Sequence, residues 1–177
     1  DFQVIMVIAM DKEKNRYVLE YFRERIPTFD LPQIIVDMAN KYSPVRRATI
    51  ETVAAQEMVR DMVTRLAHSD KRLIPGIFKG VKPPGGIKKE DRLETTLGPI
   101  VNSKKLFIRR SMTELVDEFF EHPFPRHDDL MDGLYYADYY AKAPSSARMK
   151  KSEYKNVSKK RAKRGKVYNW MTGLRNT

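Results

Sequence analysis

The fold is decided by the stretch His122-Pro-Phe-Pro-Arg-His-Asp-Asp-Leu-Met-Asp-Gly-Leu-Tyr-Tyr-Ala-Asp-Tyr-Tyr-Ala-Lys142. A Pro-rich turn leads into an apolar helix whose first turn carries three carboxylates, those of Asp128, Asp129 and Asp132. Asp128 and Asp132 are four residues apart, a spacing that places two side chains on a common helix face. One interpretation is helix capping, since a helix N-terminus favours negative charge. The other is a bound cation, which relieves the repulsion among crowded carboxylates.

Glu51 is a second candidate site residue. It ends the predicted strand Ala48-Thr-Ile-Glu51 and precedes a predicted helix that begins near Val53. Ligand sites of α/β proteins gather at the carboxyl ends of strands, so Glu51 is either a helix-capping acid or a metal ligand. The chain has no Cys and three His. We therefore expect any metal to be held by oxygen atoms, as Mg²⁺ and Mn²⁺ are.

The hydrophobic periodicity predicts an α/β fold with a mixed β-sheet flanked by helices. The predicted strands are Val4–Met10 and Arg16–Arg23, which form a hairpin, and then Arg46–Glu51, Leu73–Phe78 and Lys105–Arg109. The predicted helices are Leu31–Tyr42 behind an N-cap at Asp30, Val53–His68, Lys88–Leu97, Met112–Glu121 and the Asp-led helix after it. No apolar run reaches the length of a membrane span, so we expect no membrane contact.

The charge of the chain is unevenly distributed. The net charge of the 177 residues is +11, and the segment 143–177 alone contains eleven Lys or Arg and one acid. Residues 1–142 are therefore nearly neutral and are predicted to form the folded domain. We expect the basic tail over 143–177 to be largely disordered, because Lys, Arg and Ser dominate it. Binding of a polyanion is one interpretation of such a tail, and a merely solvated segment is the other.

The segment Lys79–Lys89 combines four lysines with Gly and Pro, which predicts an exposed basic loop. We interpret a set of basic residues in and after it as a rim that faces DNA phosphates: Lys79, Lys82, Lys88, Lys89 and Arg92. Gly80 and Gly85 have the spacing of a nucleotide-binding loop, but the required Lys and Ser or Thr do not follow. ATP hydrolysis through that motif is therefore excluded.

Several segments, in the same order, resemble the C-terminal nuclease domain of bacteriophage large terminase subunits. They are Asp1-Phe-Gln-Val-Ile, Ile50-Glu51-Thr52, Lys88-Lys-Glu-Asp-Arg92 with Leu97, Leu106-Phe-Ile, Leu115–Phe120 and Phe124-Pro125-Arg-His-Asp-Asp-Leu-Met-Asp-Gly-Leu-Tyr-Tyr-Ala137. The resemblance covers most of residues 1–142 and is most specific in the Phe-Pro and His-Asp-Asp-x-x-Asp elements. It implies an RNase H-like fold that binds two Mg²⁺ or Mn²⁺ ions and cuts double-stranded DNA.

Carried over by position, the resemblance assigns Glu51, Asp128, Asp129 and Asp132 as catalytic metal ligands. In this family the first catalytic Asp lies on a strand that precedes the region matched by Asp1. We expect that strand in a longer parent chain; otherwise Asp1 must supply the missing ligand. The family also implies an N-terminal packaging ATPase in the parent chain, contacts with the portal and small terminase subunit, and a location at the packaging motor in the host cytoplasm.

The sequence thus predicts an endonuclease that cuts concatemeric DNA during viral genome packaging. The alternative is a non-catalytic module that docks on DNA or portal. A resolvase or transposase of the same fold would need an end-recognition motif, and none is visible. His127 is interpreted as a capping or hydrogen-bonding residue rather than a metal ligand. The tyrosines between Tyr135 and Tyr140 are interpreted as packing on the sheet rather than stacking on nucleic acid.

Overall fold

The computed structural model describes residues 2–52, 56–70, 73, 76–82 and 85–144. Within them the chain is a mixed α/β protein. Its elements are β1 (Gln3–Met10), β2 (Arg16–Glu24), α1 (Leu31–Lys41), β3 (Ala48–Glu51), α2 (Gln56–Ser69), β4 (Phe78–Val81), α3 (Lys89–Asn102), β5 (Leu106–Phe107), α4 (Thr113–Glu121) and α5 (Asp129–Tyr139). Asp1 and nearly all of the predicted basic tail, from residue 145 onward, lie outside the described residues.

The described strands form two small sheets, where the sequence predicts one. β1 and β2 form the predicted antiparallel hairpin, with Gln3 opposite Glu24 and Met10 opposite Arg16. β5 extends this sheet in parallel to β2, which makes it a mixed sheet in the order β1-β2-β5. β3 and β4 pair in parallel as a separate sheet. The expectation of mixed α/β structure is confirmed, but a single sheet is not present in the described part of the chain.

The predicted strand Leu73–Phe78 is wrong, because the strand begins at its last residue. β4 runs over Phe78–Val81, with its two end residues buried and the side chains between them exposed. Lys79 therefore lies in a strand and not in the predicted loop. A glycine is required at Gly80, since a Cβ there would lie 2.6 Å from Cγ2 of Thr52. This close approach lets β4 pair along the full length of β3.

The start of α1 also differs from the prediction. Asp30 precedes the helix in a helical backbone conformation, and its side chain makes no capping hydrogen bond. Pro32 lies in the first turn, where its missing N–H costs nothing and its fixed φ suits a helix. The helix thus begins through proline geometry rather than through the predicted Asp cap.

The site is positioned by α5, which packs on β1. Leu130, Leu134 and Tyr135 of this helix are almost fully buried in the core that α3, α4 and the hairpin share. Tyr136 is also buried, whereas Tyr139 is 54% exposed. Packing is confirmed as the role of the two buried tyrosines. α1, α2, β3 and β4 enclose a second apolar core. None of the described helices is long and apolar enough to cross a membrane.

Gly133 marks the closest approach of α5 to β1, and its replacement tests this packing. A Cβ at Gly133 would lie 2.9 Å from Cγ1 of Val4, whose branched side chain has little freedom to move. We expect Gly133→Ala to lower the free energy of unfolding by about 1–3 kcal/mol, despite the better helix propensity of Ala.

Gly98→Ala in α3 is the matched control for urea-induced unfolding. Chain neighbours aside, the nearest atom would be Cγ of Glu94 at 4.0 Å, and the restriction imposed by Pro99 offsets the better helix propensity of Ala, so we expect the free energy of unfolding to change by no more than about 0.5 kcal/mol. A Gly133→Ala protein as stable as Gly98→Ala would contradict the described α5–β1 contact.

Candidate functional site

The predicted acids come from two elements. Asp128 occupies the N-cap position of α5, Asp129 is its first residue and Asp132 lies in its first turn. Glu51 is the last residue of β3. Their side-chain partners decide between the capping and cation-binding interpretations, and each acid is described in turn below.

Asp128 does not cap the helix that it precedes. Its side chain makes no capping hydrogen bond. Its Oδ1 instead lies 2.9 Å from Nζ of Lys89, at the start of α3. The α5 amides are capped by Glu118 of α4, whose Oε2 accepts from the Met131 N–H at 2.9 Å and whose Oε1 accepts from the Leu130 N–H at 3.4 Å. The capping interpretation of Asp128 is therefore wrong, and its carboxylate binds a cationic group.

Glu118 was not singled out from the sequence, although a signal is present. It falls on the face of α4 that carries the buried Leu115, and an acid there is 5% exposed. A charged residue on the apolar face of a helix generally has a specific partner. Its partner is the pair of α5 amides. Burial raises the pKa of Glu118 to about 7, although these hydrogen bonds and the charge of Arg23 oppose the rise.

Asp132 lies between two cations from α3. Its Oδ1 is 3.0 Å from Nη2 of Arg92, and its Oδ2 is 3.7 Å from Nζ of Lys89. Burial raises the pKa of Asp132. The positive charges of Lys89 and Arg92 lower this pKa, and the negative charges of Glu51 and Asp128 raise it. Negative charge from β3 and from the start of α5 thus acts on one carboxylate. The two elements bring Glu51, Asp128 and Asp132 into one electrostatic cluster.

Glu51 joins this cluster through a tyrosine. The hydroxyl of Tyr136 donates to Oε1 of Glu51 at 2.9 Å, and Nη1 of Arg92 approaches the same hydroxyl at 3.4 Å. Burial and the hydrogen bond to Glu51 raise the pKa of Tyr136, so the hydroxyl keeps its proton at neutral pH. A continuous chain of polar contacts therefore links Glu51, Tyr136, Arg92, Asp132, Lys89 and Asp128, and we call it the acid–base chain.

Asp129 faces a different partner from its neighbours. Its Oδ2 lies 3.6 Å from Nη2 of Arg23 on β2. Arg23 also contacts Glu114 at 3.4 Å and stacks on the ring of Phe2 at 4.1 Å. His127 meets the same Phe2 ring edge-on, at 5.5 Å between ring centroids. Asp129 and His127 thus contact the β1–β2 side of α5, and the structure does not place Asp129 in the acid–base chain.

The predicted DNA-facing residues fall into two groups. Lys79, Lys82 and Lys88 are exposed. Arg92 is buried, with 8% of its surface exposed, and its guanidinium stacks on Tyr135 at 4.9 Å. The prediction that Arg92 faces DNA is therefore wrong, because the side chain is committed to Asp132 and the tyrosines. Lys89 also turns inward, toward Asp128 and Asp132.

The ligand atoms of the cluster suit a divalent cation, but a positive group of the protein itself already lies between two of the carboxylates. Carboxylate oxygens are the ligands that Mg²⁺ and Mn²⁺ prefer. Asp128 and Asp132 already share one positive group, the ammonium of Lys89. In the part of the chain that the structure describes, no group of three or more His, Asp or Glu side chains is arranged to hold an ion. Asp1 is outside that part.

Comparison of the chain with protein-family models and with curated protein sequences found no match.

The buried cap makes the stability of the domain depend on pH. The pKa of Glu118 is raised from 4.5 to about 7, so the folded state binds a proton more tightly than the unfolded state does. This contribution is complete below pH 4.5 and is lost as the pH rises through 7. We expect the wild-type chain to lose up to about 3 kcal/mol across this window, and Glu118→Gln to remove that loss.

The measurement is thermal unfolding from pH 4.5 to pH 7.5 in EDTA. The slope of stability against pH is compared between the wild type and the variants. Glu94→Gln, an exposed acid of α3, is the control and should keep the wild-type slope. A Glu118→Gln slope identical to that of the wild type would show that another group titrates.

Proposed function

We propose that residues 1–142 are the metal-dependent endonuclease domain of a viral DNA-packaging terminase, with an RNase H-like fold. The observation that carries the proposal is the cluster of Glu51, Asp128 and Asp132. These acids come from two elements, β3 and the start of α5, and the side chain of Asp128 does not cap its helix. Asp128 and Asp132 share a cationic group. Converging carboxylates from separate parts of the chain are typical of metal-dependent sites.

The strand arrangement is consistent with the proposed fold. β1 and β3 each pair with one neighbour among the described strands, and both contact α5. Gly133 lies against Val4 of β1, and Tyr136 bonds Glu51 at the end of β3. The leading strand implied by the resemblance would join the two sheets beneath α5. That strand would bring its catalytic Asp to the start of this helix.

Each residue of the proposed site has a distinct role. Asp128, Asp132 and Glu51 would hold the divalent ions, and Asp129 would join them if it left Arg23. Two such ions, about 4 Å apart, activate water and stabilise the leaving oxygen in phosphodiester cleavage. Tyr136 orients Glu51, and Arg92 fixes Asp132 from the buried side. Lys79, Lys82 and Lys88 supply positive charge for the DNA backbone.

The experiment that tests the proposal is cleavage of supercoiled plasmid in Mn²⁺, Mg²⁺ or EDTA. Two proteins are compared: the 177-residue chain and a version extended upstream by the implied strand. We expect nicking and linearisation with either metal in the extended protein and none in EDTA. The shorter chain then shows whether the leading strand is essential. Binding of DNA without cleavage in either metal, by both proteins, would refute the nuclease.

One observation favours the alternative, a non-catalytic module that docks on DNA or on the portal. Each acid already has a partner. Asp128 pairs with Lys89 and Asp132 with Arg92. Asp129 pairs with Arg23, and Glu51 accepts a hydrogen bond from Tyr136. Acids that are partnered in this way can simply stabilise the fold. The alternative predicts salt-sensitive DNA binding that is the same in EDTA and in Mg²⁺. Contacts with the portal, the small subunit and the ATPase belong to the proposal as a whole.

A further inference from the structure

Lys89 and Arg92 both contact Asp132, but they are held very differently. Arg92 is buried and stacks on Tyr135, and its guanidinium also reaches the Tyr136 hydroxyl. The side chain of Lys89 is one-third exposed (33%), and its ammonium pairs with Asp128 and Asp132. An ammonium on a flexible four-carbon stem can change partners at low cost, whereas a stacked guanidinium cannot. Lys89 is therefore the exchangeable cation of the acid–base chain.

A divalent ion neutralises the acid–base chain only if Lys89 withdraws from it. Its three carboxylates face the two cations Lys89 and Arg92, which leaves one net negative charge. A divalent ion added to this set would leave one net positive charge. The same ion with Lys89 withdrawn would leave the set neutral. Since like charges at this separation repel strongly, the ammonium and a divalent ion compete for the oxygens of Asp128 and Asp132.

The position of Lys89 favours its release toward the proposed DNA side. It is the first residue of α3, directly after the exposed Lys88. A withdrawn ammonium would lie beside Lys88 in the exposed basic segment. There it would add one positive charge for a DNA phosphate.

We propose that Lys89 is an internal counter-cation that holds Asp128 and Asp132 before metal binds and that a divalent ion displaces. The inference rests on the proposed metal site and adds a positioning residue to it. Lys89 keeps the two carboxylates close and aimed at one point, and it sets the metal concentration at which the site fills. The cost is a lower metal affinity, since each ion must replace an existing ion pair.

The first test is titration calorimetry with Mn²⁺ alone, using the full chain and Lys89→Met. Met has a similar length and no charge, so it removes the competitor and keeps the volume. We expect Lys89→Met to bind Mn²⁺ about tenfold more tightly than the wild type. Lys12→Met, an exposed lysine in the β1–β2 turn, removes the same charge elsewhere and should stay within about twofold.

Thermal unfolding separates this effect from a folding defect. In EDTA, Lys89→Met should be less stable than the wild type, because Asp128 and Asp132 lose their counter-charge. In excess Mn²⁺ the variant should gain more stability than the wild type does, since a ligand that binds only the folded state stabilises it by an amount that rises with the logarithm of its affinity. Equal gains in the two proteins would count against displacement.

A measurement on the unmutated side chain does not depend on how the variant folds. With ¹³C-methylated lysines, addition of Mg²⁺ should shift the Lys89 resonance toward that of a solvated lysine and leave Lys12 unchanged. The Lys89 signal is assigned by its absence in Lys89→Arg. An unmoved Lys89 resonance under saturating metal would overturn the inference.

The outcomes distinguish the inference from the function on which it rests. Mn²⁺ binding by Lys89→Met but not by the wild type supports both. Binding by the wild type with no tighter binding by the variant overturns the counter-cation role and leaves the metal site intact. Absence of binding in the wild type and in Lys89→Met, both as the 177-residue chain and as the upstream-extended protein, overturns the metal site and the inference together.

Discussion

Asp132→Asn is expected to lower the rate of metal-dependent plasmid cleavage by about 10²–10³-fold in the upstream-extended protein. Asp132 is the central acid of the site. It contacts Lys89 and Arg92, and the charges of Glu51 and Asp128 raise its pKa. An amide in its place keeps the shape but supplies a neutral oxygen, a poor ligand for Mg²⁺. The measurement is the initial rate of nicking in saturating Mn²⁺.

The control for this substitution is Asp91→Asn. Asp91 is exposed on α3, one residue before Arg92. Its replacement by Asn changes the charge by the same amount beside the site rather than in it. It should cleave at the wild-type rate. Asp132→Asn should also unfold within about 1 kcal/mol of the wild type in EDTA, since its amide oxygen can still accept from Arg92. Full cleavage by Asp132→Asn, or a loss explained by unfolding, would contradict the assignment.

Arg92→Met is expected to lower the free energy of unfolding by about 3 kcal/mol. The substitution removes the hydrogen bond to Asp132 at 3.0 Å and leaves that carboxylate with a weaker counter-charge. It also removes the stacking on Tyr135 and the contact with the Tyr136 hydroxyl. Asp132 retains 20% exposure of its side chain, so partial solvation keeps the loss near the lower end for a buried pair.

Urea-induced unfolding measures this loss, and Arg110→Met provides the comparison. Arg110 is exposed, and its replacement should change the stability by no more than about 0.5 kcal/mol. If Arg92 faced DNA instead, its substitution would leave stability unchanged and would reduce the salt dependence of DNA binding. Arg92→Lys should recover only part of the stability, because an ammonium lacks the planar guanidinium that stacks on Tyr135.

Local sequence signals account well for the hairpin and the helices. The apolar run of β1, the alternation of β2 after the turn Asp11–Asn15 and the apolar spacing of α1 are properties of short segments, so they could be recognised without tertiary structure. β4 could not be placed in the same way. Its limits depend on how Gly80 approaches Thr52, the residue after β3, a contact between segments that are not adjacent in the sequence. The break into two sheets likewise depends on pairing that no single segment encodes.

The candidate site was predictable in part for the same reason. The spacing of Asp128 and Asp132 follows from one helix, and the structure brings both to one cation. The direction of Lys89 and Arg92 follows from the packing of α3 on α5, which the sequence pattern does not contain. The sequence pattern therefore predicts that both residues face solvent, whereas in the structure both contact Asp132. Glu118 was missed because an isolated acid on a helix gives no indication of the amides that it caps.

The cap formed by Glu118 has a consequence for the order in which the site assembles. Glu118 lies 12 and 13 residues from its α5 partners, whereas Tyr136 lies 85 residues from Glu51. Contacts close in sequence lose little loop entropy and form early, while distant ones form late. The α4–α5 contact would therefore form first and fix the orientation of the turn that carries Asp128 and Asp132. Glu51 of β3 would join these carboxylates in a later folding step.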